Sequence, residues 1–473
     1  MKRSLQAAGL LAVLGVLHGG AFAQSAAPAA AASAPRTVLG TASSATSATA
    51  GAFTLSQAYA AALEQDAVIR AARAGADARR ERLPQARAQL LPNISASFSR
   101  SKNDLDSTTP GFTGPVDQQR KYFSSSKSLS IRQPIFRPYQ IADYRQAEAQ
   151  VADANANLDK EVQNVAVRVA SAYLEALLAQ DQLALVLSQK TSYTTQLDAA
   201  RRRFSAGAGV RTDIDEAQAR LDLSLAQELE ARQNVEYTRR AVQVLVNRPV
   251  TALAPVDDRK LVLSRPDPDR LEDWTERAEL SSPELRSLRA QRDAARNELD
   301  KARSGHLPTL DAVAQWSVTD SESVTSVNSR YNNKSVGLQL NVPIFAGGYV
   351  SSQSRQAVAD LERAEQSIEA TRRDLGLRIE KEFRGITEGI LRIRALELAV
   401  RSSETMVISN RRSFEGGART LVDILNAEEQ RVTALRDLAQ ARYLYMISRI
   451  RLRALAGEAD SQVIGEINAW LKP

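Results

Sequence analysis

The side chains that most often carry chemistry are scarce in this sequence. It has no cysteine and two histidines, His18 and His306. Without cysteine, disulfides, thiolate metal sites and cysteine nucleophiles are excluded. The nucleophile, phosphate-binding and zinc motifs Gly-x-Ser-x-Gly, Gly-Lys-Ser/Thr and His-Glu-x-x-His are also absent from the sequence. The sequence therefore indicates that the chain is not an enzyme, and it predicts no cofactor and no metal site.

A threonine followed by acidic residues occurs at two places in the chain. One is Thr212 with Asp213 and Asp215, and the other is Thr420 with Asp423. An acid three residues after a threonine is typical of a helix start, because hydroxyl and carboxylate both suit the free N–H groups there. We therefore predict that Thr212 and Thr420 are helix N-caps. A second role for the carboxylates stays open at this point.

These two places belong to a larger repetition, because three landmarks recur in the same order in the second half. They return after 216, 209 and 210 residues. Two similar halves of this length predict a duplicated structural unit rather than a chain with one site. The landmarks are Leu91-Pro92 with Leu307-Pro308, Gln133-Pro134-Ile135-Phe136 with Val342-Pro343-Ile344-Phe345, and Arg202-x-Phe204…Asp213 with Arg412-x-Phe414…Asp423.

The N-terminus has the features of a secretory signal peptide. Lys2-Arg3 precede a short apolar run, and Ala21-Phe22-Ala23 form a small-residue cleavage site, which predicts a signal peptide over residues 1–23. Residues 24–52 are almost only Ala, Ser, Thr, Gly and Pro, which predicts a disordered leader. The arginine clusters elsewhere are interleaved with acidic residues, so they indicate solvated helix faces rather than a nucleic-acid site.

The segments around Thr212 and Thr420 must be positioned by unusually long helices. Tyr139–Phe204 contains no proline and no glycine, and its apolar residues follow helical spacing. Such a helix would be about 98 Å long. Pairs of long and short helices predict coiled-coil packing in which two short helices, end to end, match one long helix. The other predicted helices are Leu55–Gln89, Thr212–Asn247, Leu271–Ser304, Val350–Phe414 and Thr420–Ala456.

Each Leu-Pro landmark opens a segment of strict alternation, which predicts β-strands with two different faces. Strands of this length suit an outer membrane, although ordinary soluble hairpins are the alternative. Four strands cannot close a barrel alone, so other copies must complete the sheet, and two, three or four copies all remain possible. The predicted strands are Asn93–Arg100, Tyr122–Gln133, Leu310–Val318 and Ser335–Val342, joined by predicted exposed loops at Ser101–Arg120 and Thr319–Arg330.

Together these landmarks resemble the TolC family of outer-membrane channel proteins, from about Phe53 to Leu455. The resemblance implies a mostly α protein with a β membrane domain: a long coiled-coil α-helical barrel continued by a transmembrane β-barrel, twelve-stranded in a homotrimer. The absence of a cysteine after the signal peptide places the chain in the non-lipidated branch. The implied organisation is a first repeat at 53–247, a connecting equatorial segment at 248–270, a second repeat at 271–456 and a C-terminal segment at 457–473.

The resemblance also implies roles for the residues around Thr420, at the closed periplasmic end of the channel. Asp423 is implied to line the aperture, and Asn426 stands where the family has a second aspartate. Arg419 is implied to form a gating latch with Asp213 and Thr212. Phe414 replaces a family tyrosine, so no latch bond can use a hydroxyl there. The alternative is that Asp423 only caps its helix.

The implied function is export across the cell outer membrane and periplasm. The implied partners are a periplasmic membrane-fusion adaptor, an inner-membrane ABC or proton-driven transporter, and outer-membrane lipid. The non-lipidated branch favours type I secretion of toxin-type proteins, and efflux of drugs is the alternative. A trimeric surface adhesin is a rival class, but such anchors place all four strands at the C-terminus.

Overall fold

The computed structural model describes residues 52–112, 114–321 and 329–472. The predicted signal peptide and all of the predicted leader except Ala52 lie outside the described residues. Within the described part, the predicted long helices are confirmed, with ends that differ by one or two residues. No helix of these residues combines the length and the apolarity needed to cross a membrane. The helices are α1 Leu55–Gln65, α2 Ala67–Arg80, α3 Arg82–Ala88, α4 Pro138–Ser205, α5 Arg211–Val246, α6 Leu271–Ser281, α7 Pro283–Arg303, α8 Tyr349–Glu415, α9 Leu421–Leu455 and α10 Ser461–Asn468.

The predicted continuous helices before each Leu-Pro landmark are interrupted. Asp66 ends α1 and caps α2, because its carboxylate accepts a hydrogen bond from the Val68 N–H at 2.9 Å. Glu81 separates α2 from α3. In the second half, Ser282 leaves the helical conformation before Pro283, as residues that precede proline tend to do. The prediction of single helices over Leu55–Gln89 and Leu271–Ser304 is therefore wrong.

The helices form a wall in which shorter helices flank longer ones. Helix α4 packs against α1, α2, α3, α5, α7 and α9. Helix α8 packs against α6, α7 and α9. Helices α7 and α9 each pack against both long helices, α4 and α8. Buried alanines of α4, such as Ala166, Ala170 and Ala176, let its neighbours approach closely.

Four antiparallel strands form one sheet in the order β1-β2-β3-β4. They are β1 Asn93–Gly111, β2 Gly114–Phe136, β3 Thr309–Ser321 and β4 Ser329–Asn341. The two halves of the chain meet in the sheet, because β2 of the first half pairs with β3 of the second.

The predicted loop over Ser101–Arg120 is wrong, because both β1 and β2 continue through this region and pair as far as Gly111 with Gly114. Polar side chains bridge the strands here, for example Thr108 Oγ1 to Asp117 Oδ1 at 2.6 Å. Among the described residues, β3 pairs with β2 from Ser124 onward. The part of the hairpin beyond it, Lys102–Phe123, is called the β1–β2 ribbon. In the second half, Thr319–Ser321 and Ser329–Arg330 are strand rather than loop, and 322–328 lie outside the described residues.

The connecting segment meets Phe53 and Leu471 near the middle of α4. Phe53 bridges to Leu253, and Val256 bridges to Leu471. The Tyr173 hydroxyl lies 2.8 Å from the Phe53 carbonyl oxygen and accepts a hydrogen bond from the Ala254 N–H at 3.0 Å. Burial raises the pKa of this tyrosine far above its usual value, so the hydroxyl stays protonated.

Candidate functional site

Two short turns, Ala206–Val210 and Gly416–Thr420, join α4 to α5 and α8 to α9. Each turn contains a glycine with positive φ, 72° at Gly207 and 75° at Gly417, a conformation that other residues rarely adopt. The helices beside both turns share one apolar cluster, so the turns lie at the same end of the wall. We call this end the helical tip. The cluster consists of Tyr193, Leu197, Ala200, Ala217, Leu421 and Leu425.

Thr420 is the N-cap of α9, as predicted. Its hydroxyl accepts a hydrogen bond from the Asp423 N–H at 3.3 Å, and the Asp423 carboxylate accepts the Thr420 N–H at 2.9 Å. The same carboxylate oxygen also accepts the Thr420 hydroxyl proton at 2.9 Å. These reciprocal bonds form a capping box, which satisfies backbone N–H groups that the helix itself cannot pair.

The second carboxylate oxygen of Asp423 faces Arg419, whose Nη1 lies 3.5 Å away. The two bonds from Thr420 hold the pKa of the Asp423 carboxyl below its usual range, and Arg419 lowers it further. The Asp423 side chain is 32% exposed, so a negative charge remains available at the helical tip. Among the described residues of one chain, no ion pair joins Arg419 to Asp213.

Thr212 is not an N-cap, contrary to the prediction. Helix α5 begins at Arg211, and the capping position is Val210, which has no polar side chain. The repeat offset of 210 residues pairs Val210 with Thr420 and Asp213 with Asp423. The first turn therefore keeps the acid and lacks the hydroxyl, so it cannot form a capping box. Asp213 instead contributes charge to the first turn of the helix.

Asn426 is held by an arginine from the neighbouring helix α5. Arg220 Nη2 donates to the Asn426 amide oxygen at 3.1 Å, and Arg220 Nη1 donates to Glu429 at 2.6 Å. Arg220 Nε donates to Glu216 at 3.1 Å. The amide at position 426 therefore acts as one acceptor in a network that fastens α9 to α5. The sequence analysis missed Arg220, because nothing in its local sequence shows that α5 and α9 meet.

Phe414, near the end of α8, packs under a guanidinium group from the end of α4. The Arg203 Cζ lies 4.2 Å from the centre of the Phe414 ring, which is a cation–π contact. Phe414, Arg203 and Asp213 line a cavity of about 200 Å³ at the helical tip. Position 414 therefore links the ends of α4 and α8 through its ring face, without a hydroxyl. The repeated Arg202-Arg203-Phe204 and Arg412-Ser413-Phe414 segments were a signal that could have drawn attention to Arg203.

A second polar group, also missed by the sequence analysis, fastens the sheet to the helices. Arg137, directly before α4, donates from Nε to Asp311 Oδ1 at 2.8 Å and from Nη2 to Asp311 Oδ2. Asp311 lies in β3, and its side chain is only 6% exposed. This two-bond pair joins the first half of the chain to the second where strands give way to helices. In the described part of the chain, no group of three or more His, Asp or Glu residues could hold a metal ion.

A family model described as "Outer membrane efflux protein" matches residues 58–248 and 274–458. The two matched segments cover most of the chain and coincide with its two repeated halves. The chain belongs to the outer membrane efflux protein family. The protein is therefore located in the cell outer membrane, and its helical part extends into the periplasm, as predicted. Members of this family are channel proteins and not enzymes.

Similarity to individual members of the outer membrane efflux protein family extends along nearly the whole chain. The chain is 36% identical over 412 residues to the alkaline protease secretion protein AprF of Pseudomonas aeruginosa, covering 86% of this chain and 85% of AprF. It is 29% identical to the outer membrane protein TolC of Vibrio cholerae, covering 88% of this chain and 94% of TolC. The resemblance to the TolC family is thus confirmed.

The fold of this outer membrane efflux protein is also found in a solved structure. The outer membrane protein VceC of Vibrio cholerae superposes with a TM-score of 0.73, at 18% identity, over 86% of this chain and 97% of VceC. The predicted fold class, long helices with a four-stranded β domain, is confirmed. The adhesin alternative finds no support in these similarities.

Proposed function

We propose that this chain forms a homotrimeric channel that exports proteins by type I secretion. In this proposal it works with a periplasmic adaptor and an inner-membrane ABC transporter. The observation that carries the choice of cargo is the 36% identity to AprF, a protein named for the secretion of an alkaline protease. The matched region includes the sheet, both long helices and the helical tip, so the likeness extends over the whole conduit.

The sheet supports an oligomer, and the number of three copies comes from the resemblance to the TolC family. Strands β1 and β4 each have one unpaired edge, and open edges are not tolerated in lipid. Pairing β4 of one copy with β1 of the next closes a barrel, and three copies give twelve strands. Apolar side chains suited to lipid contact alternate along these outer strands and are exposed in the single chain: Ile94, Phe98, Val336, Leu338 and Leu340.

We further propose that Asp423 lines the aperture at the helical tip. Three copies of its carboxylate around the three-fold axis would attract cations. Asn426 adds no charge and is engaged by Arg220, so cation selectivity rests on Asp423 alone. Within one chain Arg419 pairs with Asp423, and the proposed latch from Arg419 to Asp213 and Thr212 therefore runs between copies. Phe414 supports the closed tip through Arg203.

Complementation of a Pseudomonas aeruginosa strain that lacks AprF tests the proposed cargo. The chain is produced from a plasmid, its presence in the outer membrane is verified, and alkaline protease activity is measured in the medium. The expected result is restored extracellular protease. A variant lacking the hairpin Thr309–Asn341, which cannot complete the sheet, is the control for leakage.

Two other outcomes are informative. If protease stays inside cells that carry the channel, the AprF-deficient strain is supplied with the adaptor and transporter encoded near this chain, and the assay is repeated. Continued retention would contradict protein export. Restored resistance to a dye such as ethidium in an efflux-deficient strain would then favour the small-molecule efflux alternative, which agrees with the description of the family.

A further inference from the structure

A cavity of about 520 Å³ lies within the helical wall, away from the helical tip. It opens where α7 begins at Pro283 and α9 ends at Leu455, between the long helices α4 and α8. The two short helices meet end to end at this level, where the Ser281 hydroxyl donates to the Ala456 carbonyl oxygen at 3.0 Å. The cavity thus lies where the start of α7 meets the end of α9, between the two long helices.

One part of the cavity lining is apolar, and another part is mainly basic. Val167, Pro283, Leu375 and Leu455 supply apolar surface, and Leu375 is fully buried. Five cationic side chains and two carboxylates supply the charged surface. The cations are Lys160, Arg168, Arg378, Lys381 and Arg451, and the carboxylates are Glu284 and Glu382.

The carboxylates do not neutralise all of this positive charge. Glu284 bridges two cations, Lys160 Nζ at 3.1 Å and Arg378 Nη2 at 2.7 Å. Glu382 lies 4.0 Å from Arg451, at the limit of an ion pair. Lys381 has no ion-pair partner among the described residues. Arg168 is paired with Asp66, which lies outside the cavity.

One guanidinium N–H group at the cavity lacks an acceptor. The buried Nε atom of Arg168 has no hydrogen-bond partner. The Nε atom of Arg378 lies 2.8 Å from the Asp374 carboxylate and forms an ion pair with it. The two arginines occupy equivalent positions in the repeat, 210 residues apart. Buried donors without an acceptor are costly, and an anion in the cavity would supply one.

We propose that this cavity binds a small anion in which a phosphate or carboxylate group is attached to an apolar body. The anionic group contacts Lys381, Arg451 and the unpaired Nε–H group of Arg168, and the apolar body covers the surface around Leu375. Membrane lipid is not the source, because Arg168 is thirty residues beyond the start of α4, or about 45 Å along the helix from the sheet. The ligand is therefore a diffusible compound of the periplasm.

Titration calorimetry with phenyl phosphate tests this site, using the intact oligomer in a non-ionic detergent at low salt. The double variant Lys381→Gln, Arg451→Gln should weaken binding at least about tenfold, because it removes two charge-assisted contacts. The matched control is Arg392→Gln, which removes an exposed charge from α8 outside the cavity. Binding to the control should stay within about twofold of the unchanged protein. Size-exclusion elution and thermal unfolding verify that each variant assembles.

Ala454→Trp is a second variant, which places a large side chain in the cavity without changing charge, and it should also weaken binding. Benzyl alcohol, which has the ring without the anion, should not bind, and inorganic phosphate should bind more weakly than phenyl phosphate. The proposal is overturned if phenyl phosphate does not bind at ~10 mM, well above the range of specific affinities. Equal loss in the control and the double variant would also overturn it, as would unchanged binding to Ala454→Trp.

Discussion

Thr420 and Val210 occupy equivalent positions in the two halves of the chain, and only the threonine can cap the helix that follows. Replacing Thr420 by alanine removes the hydroxyl that accepts the Asp423 N–H. We expect the start of α9 to lose about 1 kcal/mol of stability, the usual cost of a lost N-cap. Hydrogen exchange of the first-turn amides measures this loss as faster exchange. Thr212→Ala, which removes no cap, should leave α5 unchanged, and an equal effect at both sites would contradict the assignment.

The charge of Asp423 should persist in moderately acidic solution. Its pKa is lowered by the bonds from Thr420 and by Arg419, so the carboxylate stays ionised below its usual pKa of about 3.9. The stabilisation that this group gives α9 is therefore complete above that pKa and is lost only as the pH falls through the lower pKa of the folded protein. If Asp423 lines the aperture, cation selectivity should be the same at pH 7 and pH 5.

Reversal potentials across a planar bilayer with a potassium chloride gradient measure this selectivity. Asp423→Ala should reduce it at both pH values, because no other charge of the aperture is proposed. Asp215→Ala removes an exposed acid near the equivalent turn of the first half and is the control. Selectivity that falls between pH 7 and pH 5 would show that a group with a higher pKa controls it.

At the scale of elements, the pair Arg137 and Asp311 connects the sheet to the helices. Replacing Arg137 by methionine leaves the nearly buried Asp311 carboxylate without its partner. We expect a loss of about 3 kcal/mol, since an unpaired buried charge is strongly destabilising. Thermal unfolding by circular dichroism measures it. The matched control is Lys121→Met, which breaks the exposed pair with Asp104 in the β1–β2 ribbon and should cost under about 1 kcal/mol.

Two glycines of α8 differ in what surrounds them. A side chain at Gly376 would meet no atom within 4 Å, whereas one at Gly385 would lie 2.8 Å from the hydroxyl oxygen of the buried Ser448 in α9. Gly376→Ala should therefore stabilise the protein by about 0.5–1 kcal/mol, as alanine does in helices. Gly385→Ala should gain less or lose stability. Equal melting temperatures for the two variants would show that α8 and α9 do not pack this closely.

Helix lengths could be predicted from the sequence, because α4 and α8 carry long uninterrupted runs of helix-forming residues. The breaks could not be predicted equally well. Pro283 was a local signal for the break at Ser282, but Asp66 interrupts its helix by a capping bond that only the folded backbone reveals. Similarly, the Ser- and Asp-rich stretch after Ser101 has the composition of a loop, and only pairing with β2 makes it a strand.

At the helical tip, contacts between residues close in the sequence could be predicted, and contacts between distant residues could not. Thr420 and Asp423 are three residues apart, so their bond could be predicted from spacing. Arg203 and Phe414, or Arg220 and Asn426, are about two hundred residues apart. They meet only because the end of α4 lies beside the end of α8, and α5 lies beside α9. Contacts of this kind depend on the order of helices in the wall, which periodicity does not define.

At the scale of the whole molecule, the β1–β2 ribbon extends beyond the part of β2 that pairs with β3. Deleting Asn103–Tyr122 and closing the strands with Asn-Gly, a favoured two-residue hairpin turn, should leave assembly and export intact. The reason is that the described pairs between β2 and β3 begin at Ser124, so each of these pairs is retained. Chemical cross-linking and the secretion assay measure the result. Loss of the oligomer would show that the ribbon contributes to contacts between copies.

The pairing of β2 with β3 also has a consequence for the order in which the chain can fold. These strands join residues roughly 170 to 200 positions apart, whereas β1 and β2 form a local hairpin, and distant contacts form more slowly than local ones. The first hairpin must therefore wait, with one edge of β2 unpaired, until the ribosome has made the chain as far as β3, early in the second repeat, and export has delivered it. During that interval the unpaired edge of β2 can pair with a wrong strand. A periplasmic chaperone would therefore protect the folding chain most effectively by binding at this strand.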